Sequence, residues 1–318
     1  APCGRMCAGT DDVPVLREAC WQLLCSRPQI YECPDFLSSD ECAAIRSLVE
    51  ENIGGSSLAK IRVDLDPKDK ESGPWAILRA VERRVAALSG TPPHAGEMPW
   101  AVHFTPPDGS DAQEPRVSLG LHVDTNNCRD MRWLTFIIYL HTVPPCEGGH
   151  TLFPLAHATK RGAEVGSKLL SAGVRHTGQA LSPLQSEDVQ AAASSLLSSA
   201  EKLAAAACLG ARAPGVAVAA REGCCVAFWT RNPTSGLVDP LSWHGGAAVR
   251  GGAAGKWTLQ KFREAPEQRE CCAEAFARQH GFLNLPATAA GVRFVEGERA
   301  PPPGSPPKKG LVRPDAKK

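Results

Sequence analysis

"RWLTFIIYLHTV", residues 132–143, is the stretch that most directly indicates the fold. Its aromatic and β-branched side chains favour an extended strand, and Pro144 and Pro145 end it. Three further β-prone runs follow, separated by glycine and proline: 148–154, 224–230 and 256–262. Short strands divided by turn signals are typical of a sandwich or jelly roll, and not of a parallel α/β sheet.

Two amphipathic helices are predicted ahead of these strands. The first begins at a capping box formed by Ser38 and Glu41 and ends near Gly54. The second begins at Pro74, and its apolar residues recur at helical spacing as far as Leu88. Because both helices need a surface on which to bury an apolar face, the sequence predicts a mainly β fold with flanking helices (α+β).

Composition excludes some classes of partner. The 318 residues carry a net charge of +1 with 22% charged residues, so no nucleic-acid partner is expected. No run of eighteen apolar residues exists, and no membrane segment is predicted. The 13 cysteines show no Cys-x2-Cys pair, which disfavours a structural zinc site. The compartment stays open, since cytoplasm and endoplasmic reticulum lumen both fit this composition.

The domain organisation follows from shifts in composition. An Ala/Ser-rich stretch is expected to form an inserted, exposed helix that begins near Ser182 and ends near Leu209. A further helix is expected over 266–280. The predicted units are a cysteine-containing segment (1–28), one domain (29–265) with an insertion (about 156–221), a helical extension (266–299) and a Pro-rich, basic, disordered tail (300–318).

A His-x-Asp pair lies just ahead of the 132–143 run. In "LGLHVDTNN" (119–127), His122 and Asp124 would point to one face of a strand, since side chains alternate with a period of two. By itself such a pair is more often a surface histidine beside a turn. A metal site of two imidazoles and one carboxylate would need a distant third ligand. Among the other histidines, His244 has the best setting, because two glycines follow it and let backbone approach a ligand.

Lys256 begins the last predicted strand, after His244 along the chain. A buried lysine that faces a polar cavity needs a carboxylate or phosphate as its partner. Taken alone, a solvent-facing lysine is the simpler interpretation. Arg250, in the same loop, is the alternative anion-binding residue.

Together these stretches resemble the prolyl 4-hydroxylase branch of the Fe(II)/2-oxoglutarate dioxygenases. The resemblance rests on "HVD" before "RWLTFIIYL", then "EGGHTLFP", then "CCVAFWTRNPTSGLVDPLSWHGG" leading to "GKWTLQKF". The earlier "IYECPDFLSSDECAAIRSLVEEN" is similar to the family's first strand and helix. The order and spacing of these motifs are specific, and the match covers roughly residues 29–265.

The resemblance implies a double-stranded β-helix, a form of jelly roll, and a set of site residues. It implies three protein ligands to Fe(II): His122, Asp124 and His244. It implies that Lys256 binds the distal carboxylate of 2-oxoglutarate, while Tyr139 and Thr151 add hydroxyl hydrogen bonds. Arg132 and Trp243 match positions near the substrate. Tyr139 could instead be a core aromatic, and Arg132 and Trp243 could be surface or packing residues.

The chain departs from the family pattern in three places. Phe104 stands where the family has a tyrosine ahead of the His-x-Asp strand, so one hydroxyl is expected to be missing from the co-substrate pocket. The interval from His244 to Lys256 is longer than usual, which keeps Arg250 as an alternative anchor. The Ala/Ser-rich insertion is longer than the family's connection.

The implied activity is hydroxylation of peptidyl proline by Fe(II), O2 and 2-oxoglutarate, with release of succinate and CO2 and with ascorbate as a further cofactor. The expected partner is a proline-containing peptide or protein. Another protein side chain or a small molecule is an alternative substrate. A zinc hydrolase with the same ligands, or a jelly-roll binding module without catalysis, is an alternative of a different class. A zinc hydrolase would have no use for Lys256.

Overall fold

The computed structural model describes residues 21–53, 61–65, 72–89, 97–108, 117–126, 132–177, 186–232, 237–250 and 254–264. The predicted cap at Ser182, the helix predicted over 266–280 and the tail at 300–318 lie outside these residues. In the described part, no helix is long and apolar enough to cross a membrane.

Along the chain, two helices lie among the first strands, and two more follow one another between later strands. The strands are β1 Gln22–Ser26, β2 Gln29–Cys33, β3 Ile61–Leu65, β4 Trp100–Thr105, β5 Val117–His122, β6 Arg132–Tyr139, β7 Thr151–Phe153, β8 Val216–Val218, β9 Cys225–Trp229, β10 His244–Ala247 and β11 Lys256–Glu264. The helices are α1 Ser39–Ile53, α2 Pro74–Ser89, α3 Lys160–Ser171 and α4 Glu187–Cys208. Strand β1 precedes residue 29, where the predicted domain begins, and pairs with β2.

The strands form two antiparallel sheets. The large sheet has the order β1-β2-β9-β6-β11-β4-β3, and the small sheet has the order β5-β10-β7-β8. Strands that are distant in sequence are therefore neighbours in both sheets, as in a jelly roll. The predicted fold class, mainly β with flanking helices around a jelly-roll core, is confirmed. The four runs that the sequence indicated as strands are β6, β7, β9 and β11.

Helices α1 and α2 cover the outer face of the large sheet. The predicted capping box is present: the Ser38 N–H donates to Glu41 Oε2 at 2.9 Å, and the Glu41 N–H donates to Ser38 Oγ at 3.2 Å. Ile45 and Val85 are fully buried in one core with Trp100 of the sheet. Burial of these apolar faces, and not helix propensity, stabilises the pair.

Helices α3 and α4 cover the outer face of the small sheet. The prediction of an exposed inserted helix was wrong, because α4 buries Leu196 and Leu203 against Leu121 and Leu152 of the small sheet. Alanines such as Ala200 and Ala204 allow the helix to approach closely, so few bulky residues are needed. The insertion thus forms a second helical layer behind strands that contain His122 and Thr151.

The two sheets enclose a third core, which leads to the candidate site. Its apolar part includes Tyr139, Phe153 and Phe228 from both sheets. Neighbouring side chains on β7 point to opposite faces of the small sheet. Phe153 faces this interior, and Leu152 faces α4. The polar groups of the site occupy the same interior.

Candidate metal centre

The small sheet brings the three predicted metal ligands together. Strands β5 and β10 pair so that His244 lies directly opposite His122. Asp124 begins a short 3-10 helix two residues after His122. One potential ligand atom from each residue lies within 4.8 Å of the others, and no other group of this kind occurs in the described residues.

Both imidazoles turn the same nitrogen toward the aspartate. His122 Nε2 lies 3.4 Å and His244 Nε2 lies 3.7 Å from Asp124 Oδ1. The Nδ1 atoms lie 3.3 Å from the Gly120 carbonyl oxygen and 3.0 Å from the Ser242 carbonyl oxygen, respectively. A proton on Nδ1 that bonds to a carbonyl leaves Nε2 unprotonated, which is the form that binds a metal.

Asp124 is held as a carboxylate. Burial by itself raises its pKa, but the neighbouring imidazoles of His244 and His122 hold the pKa of Asp124 below its usual range. The Thr135 hydroxyl of β6 donates to Oδ2, so Oδ1 is left to face the two imidazoles. No local pattern distinguishes Thr135, because its contact with Asp124 depends on how β6 lies against the small sheet.

His244 is the most enclosed of the three side chains. Phe228 packs on its ring with centroids 4.5 Å apart, and Phe153 lies 5.7 Å away. Burial lowers the pKa of His244 to about 4, so the ring is neutral at pH 7. The side chain of His122 is 20% exposed, against 4% for His244. The centre therefore opens toward solvent on the His122 side.

The donor set fits a divalent transition metal. Two imidazoles and one carboxylate suit Fe(II) or Zn(II) and leave coordination positions for water, substrate or co-substrate. The imidazoles would bind through Nε2 and the carboxylate through Oδ1.

A buried lysine lies in the same interior. Lys256 is 8% exposed, and within the described residues no carboxylate forms an ion pair with it. Its Nζ lies 3.5 Å from Thr151 Oγ1 and 5.4 Å from the centre of the Tyr139 ring. Burial lowers the pKa of Lys256 to about 8. Such a cation provides a binding position for an anion that enters the cavity.

Tyr139 and Thr151 are linked beside this lysine. The Tyr139 hydroxyl donates to Thr151 Oγ1 at 2.7 Å. Burial raises the pKa of Tyr139 well above its usual value, so the hydroxyl remains a donor. Tyr139 is also fully buried in the core between the sheets, where it packs as a core aromatic while its hydroxyl bonds to Thr151.

Arg250 and Phe104 lie elsewhere. Arg250 is half-buried, and its charge acts on Cys208 at the end of α4. Phe104 packs on Trp257 with ring centroids 4.6 Å apart, in the core under α1 and α2. This ring points to the opposite face of the sheet from Lys256, so Phe104 does not line the site around Lys256.

Arg132 and Trp243, the two predicted substrate residues, are both buried. Arg132 Nε donates to Glu264 Oε1 at 3.0 Å, and its guanidinium lies over the Phe262 ring. Trp243 is fully buried, and its indole N–H donates to the Gly166 carbonyl of α3 at 3.3 Å. These contacts favour the packing alternative for both residues.

Two histidines that were weak candidates in the sequence lie near site residues, His150 near Lys256 and His176 beside His122. His150 is 3% exposed, its Nδ1 has no hydrogen-bond partner among the described residues, and burial together with the charge of Lys256 lowers its pKa to about 4. His176, from the insertion, pairs with His122 across the edge of β5. No local signal distinguishes either residue, because their positions depend on chain segments that are far apart in sequence.

Comparison with known proteins agrees with this geometry. The chain is 24% identical over 250 residues to prolyl 4-hydroxylase 1 of Arabidopsis thaliana, covering 74% of this chain and 70% of the relative. This chain is similar in sequence to a prolyl 4-hydroxylase. The resemblance inferred from the sequence motifs is thereby confirmed. No family model matches the chain.

The solved structures that align with this chain include prolyl hydroxylases. The viral collagen prolyl hydroxylase of Paramecium bursaria Chlorella virus-1, in complex with 2-oxoglutarate, aligns with a TM-score of 0.45 and 13% identity, covering 77% of this chain and 99% of that one. A Pseudomonas putida prolyl-4-hydroxylase aligns with a TM-score of 0.36 and 16% identity, covering 74% and 93%.

Proposed function

We propose that this protein is an Fe(II)/2-oxoglutarate-dependent dioxygenase that hydroxylates proline in a peptide or protein. The observation that supports this most strongly is the combination, in a single interior, of two imidazoles, one carboxylate and a buried lysine that pairs with no carboxylate of the described residues. A metal hydrolase would need the first three groups, but it would have no use for a buried cation that lacks a carboxylate partner.

The residues of this chain would bind iron at one end of the site and the distal carboxylate of 2-oxoglutarate at the other. His122, Asp124 and His244 would hold the iron. Lys256 would neutralise the distal carboxylate of 2-oxoglutarate, with Thr151 able to donate a further hydrogen bond. When bound, iron and 2-oxoglutarate together supply the oxidation of an unactivated C–H bond by O2, with release of succinate and CO2.

The protein's own contribution is orientation and exclusion of water. Phe228 and Phe153 fix the His244 ring, and Thr135 fixes the Asp124 carboxylate. Tyr139 holds the Thr151 hydroxyl beside Lys256. Because the cavity lies between two sheets, the co-substrate would be largely removed from bulk water, where its ion pair with lysine is stronger.

The catalytic unit of this proposal is the predicted domain 29–265 with its insertion at about 156–221. The similarity to prolyl 4-hydroxylase 1 supports a peptidyl proline as substrate. Ascorbate belongs to the proposal as a cofactor that would sustain repeated turnover.

The decisive experiment is anaerobic addition of Fe(II) and 2-oxoglutarate to the purified protein. A visible charge-transfer band that needs both components is expected. On admission of O2, succinate release should rise when poly-L-proline or a repeated Pro-Pro-Gly peptide is present, and it should persist longer with ascorbate. Hydrolytic activity with Zn(II) and no dependence on 2-oxoglutarate would overturn the proposal.

A further inference from the structure

The insertion between β7 and β8 reaches the metal centre at one point. After α3, the chain returns along the free edge of β5, the strand that contains His122. The Thr177 N–H donates to the Leu121 carbonyl at 3.0 Å, and the Leu121 N–H donates to Thr177 Oγ1 at 2.8 Å. Val174, 4% exposed, anchors the same segment in the core beneath the small sheet. The segment therefore has a fixed register on β5.

This register places His176 beside His122. The two residues are direct partners in an antiparallel bridge, so their side chains project to the same face of the sheet, which is the face that contains the metal ligands. Their rings are nearly parallel, at 18°, with centroids 6.1 Å apart. His176 does not belong to the group of possible metal ligands found in the described residues.

His176 also lies on the open side of the centre. His122 is the most exposed of the three ligands, and His176 itself is half-buried. A substrate too large to enter the cavity would approach from this side. Proline-rich peptides in the polyproline II conformation dock on aromatic side chains. The parallel rings of His176 and His122 provide such a surface at the mouth.

We propose that His176 is a substrate-binding residue, contributed by the insertion, whose ring packs against a proline of the peptide. This inference rests on the proposed function and adds a residue that the family motifs do not include. The insertion then has two roles. It buries the outer face of the small sheet, and it contributes His176 to the open side of the site.

The test compares His176→Ala with His176→Phe, with Arg175→Ala as a matched control. Arg175 is the exposed neighbour on the same segment, and adjacent residues of an extended chain point to opposite faces. The probes are poly-L-proline and a repeated Pro-Pro-Gly peptide. His176→Ala should raise the peptide KM by about tenfold, the loss typical of one well-packed contact. His176→Phe should recover most of this, and Arg175→Ala should match wild type.

The second readout separates substrate binding from support of the metal. Fe(II) affinity, the charge-transfer band with 2-oxoglutarate and the KM for 2-oxoglutarate should be unchanged in His176→Ala. A weakened Fe(II) affinity would overturn the inference, because His176 would then act by positioning His122. An unchanged peptide KM, or a phenylalanine variant as weak as the alanine variant, would overturn it as well. Wild-type protein that turns over 2-oxoglutarate but neither binds nor hydroxylates either peptide would contradict the proposed substrate itself.

Discussion

The metal end and the lysine end of the cavity differ in how their charges are balanced. At the metal end, Asp124 faces two imidazoles and accepts a hydrogen bond from Thr135. At the lysine end, the buried Lys256 has hydroxyl and aromatic neighbours and, among the described residues, no carboxylate partner. The metal end is thus arranged before any ligand arrives, whereas the lysine end lacks a negative charge that only a ligand would provide. The difference indicates that two separate components complete this site.

The largest expected effect is at the metal end. Replacing His244 or His122 by alanine leaves two protein ligands, too few to hold a labile divalent ion. Both variants should lose turnover and bind Fe(II) very weakly, as measured by anaerobic titration and succinate release. Full activity in either variant would remove that residue from the centre.

The next largest effect is at the lysine end. Lys256→Ala should weaken the binding of 2-oxoglutarate and leave the affinity for Fe(II) unchanged. Loss of one partner from a buried charge pair costs about 2–5 kcal/mol, and each 1.4 kcal/mol is tenfold. The 2-oxoglutarate requirement should rise roughly thirty-fold to several thousand-fold. Lys256→Arg should recover only part, since a planar guanidinium does not replace a compact ammonium in a fitted site.

Arg250→Ala is the matched control for the lysine variant. Arg250 lies toward Cys208, so the 2-oxoglutarate requirement should stay near wild type. The opposite pattern would be a large rise in the 2-oxoglutarate requirement for Arg250→Ala and none for Lys256→Ala. It would show that Arg250 binds the distal carboxylate of 2-oxoglutarate.

A smaller effect is expected from Thr135→Val, which removes the hydroxyl that fixes Asp124 and preserves the side-chain shape. Loss of a hydrogen bond to a metal ligand typically costs about 10–100-fold in affinity or activity. Fe(II) affinity should fall by this amount, while Thr142→Val, an exposed control, should leave it unchanged. Equal affinities in the two variants would mean that Asp124 needs no such support.

The two ends should also differ in their pH dependence. Lys256 has a pKa of about 8 without ligand, so it is charged below that pH and loses its proton above it. Affinity for 2-oxoglutarate should therefore be constant below pH 8 and decline above it, approaching tenfold per pH unit. The decline should be absent in Lys256→Ala. An identical decline in that variant would assign the titration to another group.

The smallest expected effect is from deletion of residues 300–318. This Pro-rich, basic stretch has no apolar periodicity with which to join a core. Iron binding and 2-oxoglutarate turnover should match those of the full chain. Loss of the folded protein on deletion would contradict this prediction.

The sequence by itself determined the parts of this protein that depend on neighbouring residues. The capping box of Ser38 and Glu41 and the strand of residues 132–139 follow from local propensity and spacing. The His-x-Asp pair lies on one strand end for the same reason. His244 and Lys256 could be selected because they follow specific motifs in a specific order, although their proximity to His122 and Thr151 could not be derived from spacing alone.

Only the tertiary structure decided which distant segments meet. The pairing of β10 with β5 places His244 opposite His122, and the return of the insertion places His176 beside the same residue. The apolar face of α4 went unrecognised because alanines and a few leucines suffice once a sheet lies against them. The structure also decided that Phe104 packs in the core under α1 and α2, on the opposite face of the sheet from Lys256, because a shift of one residue along a strand reverses the direction of the side chain.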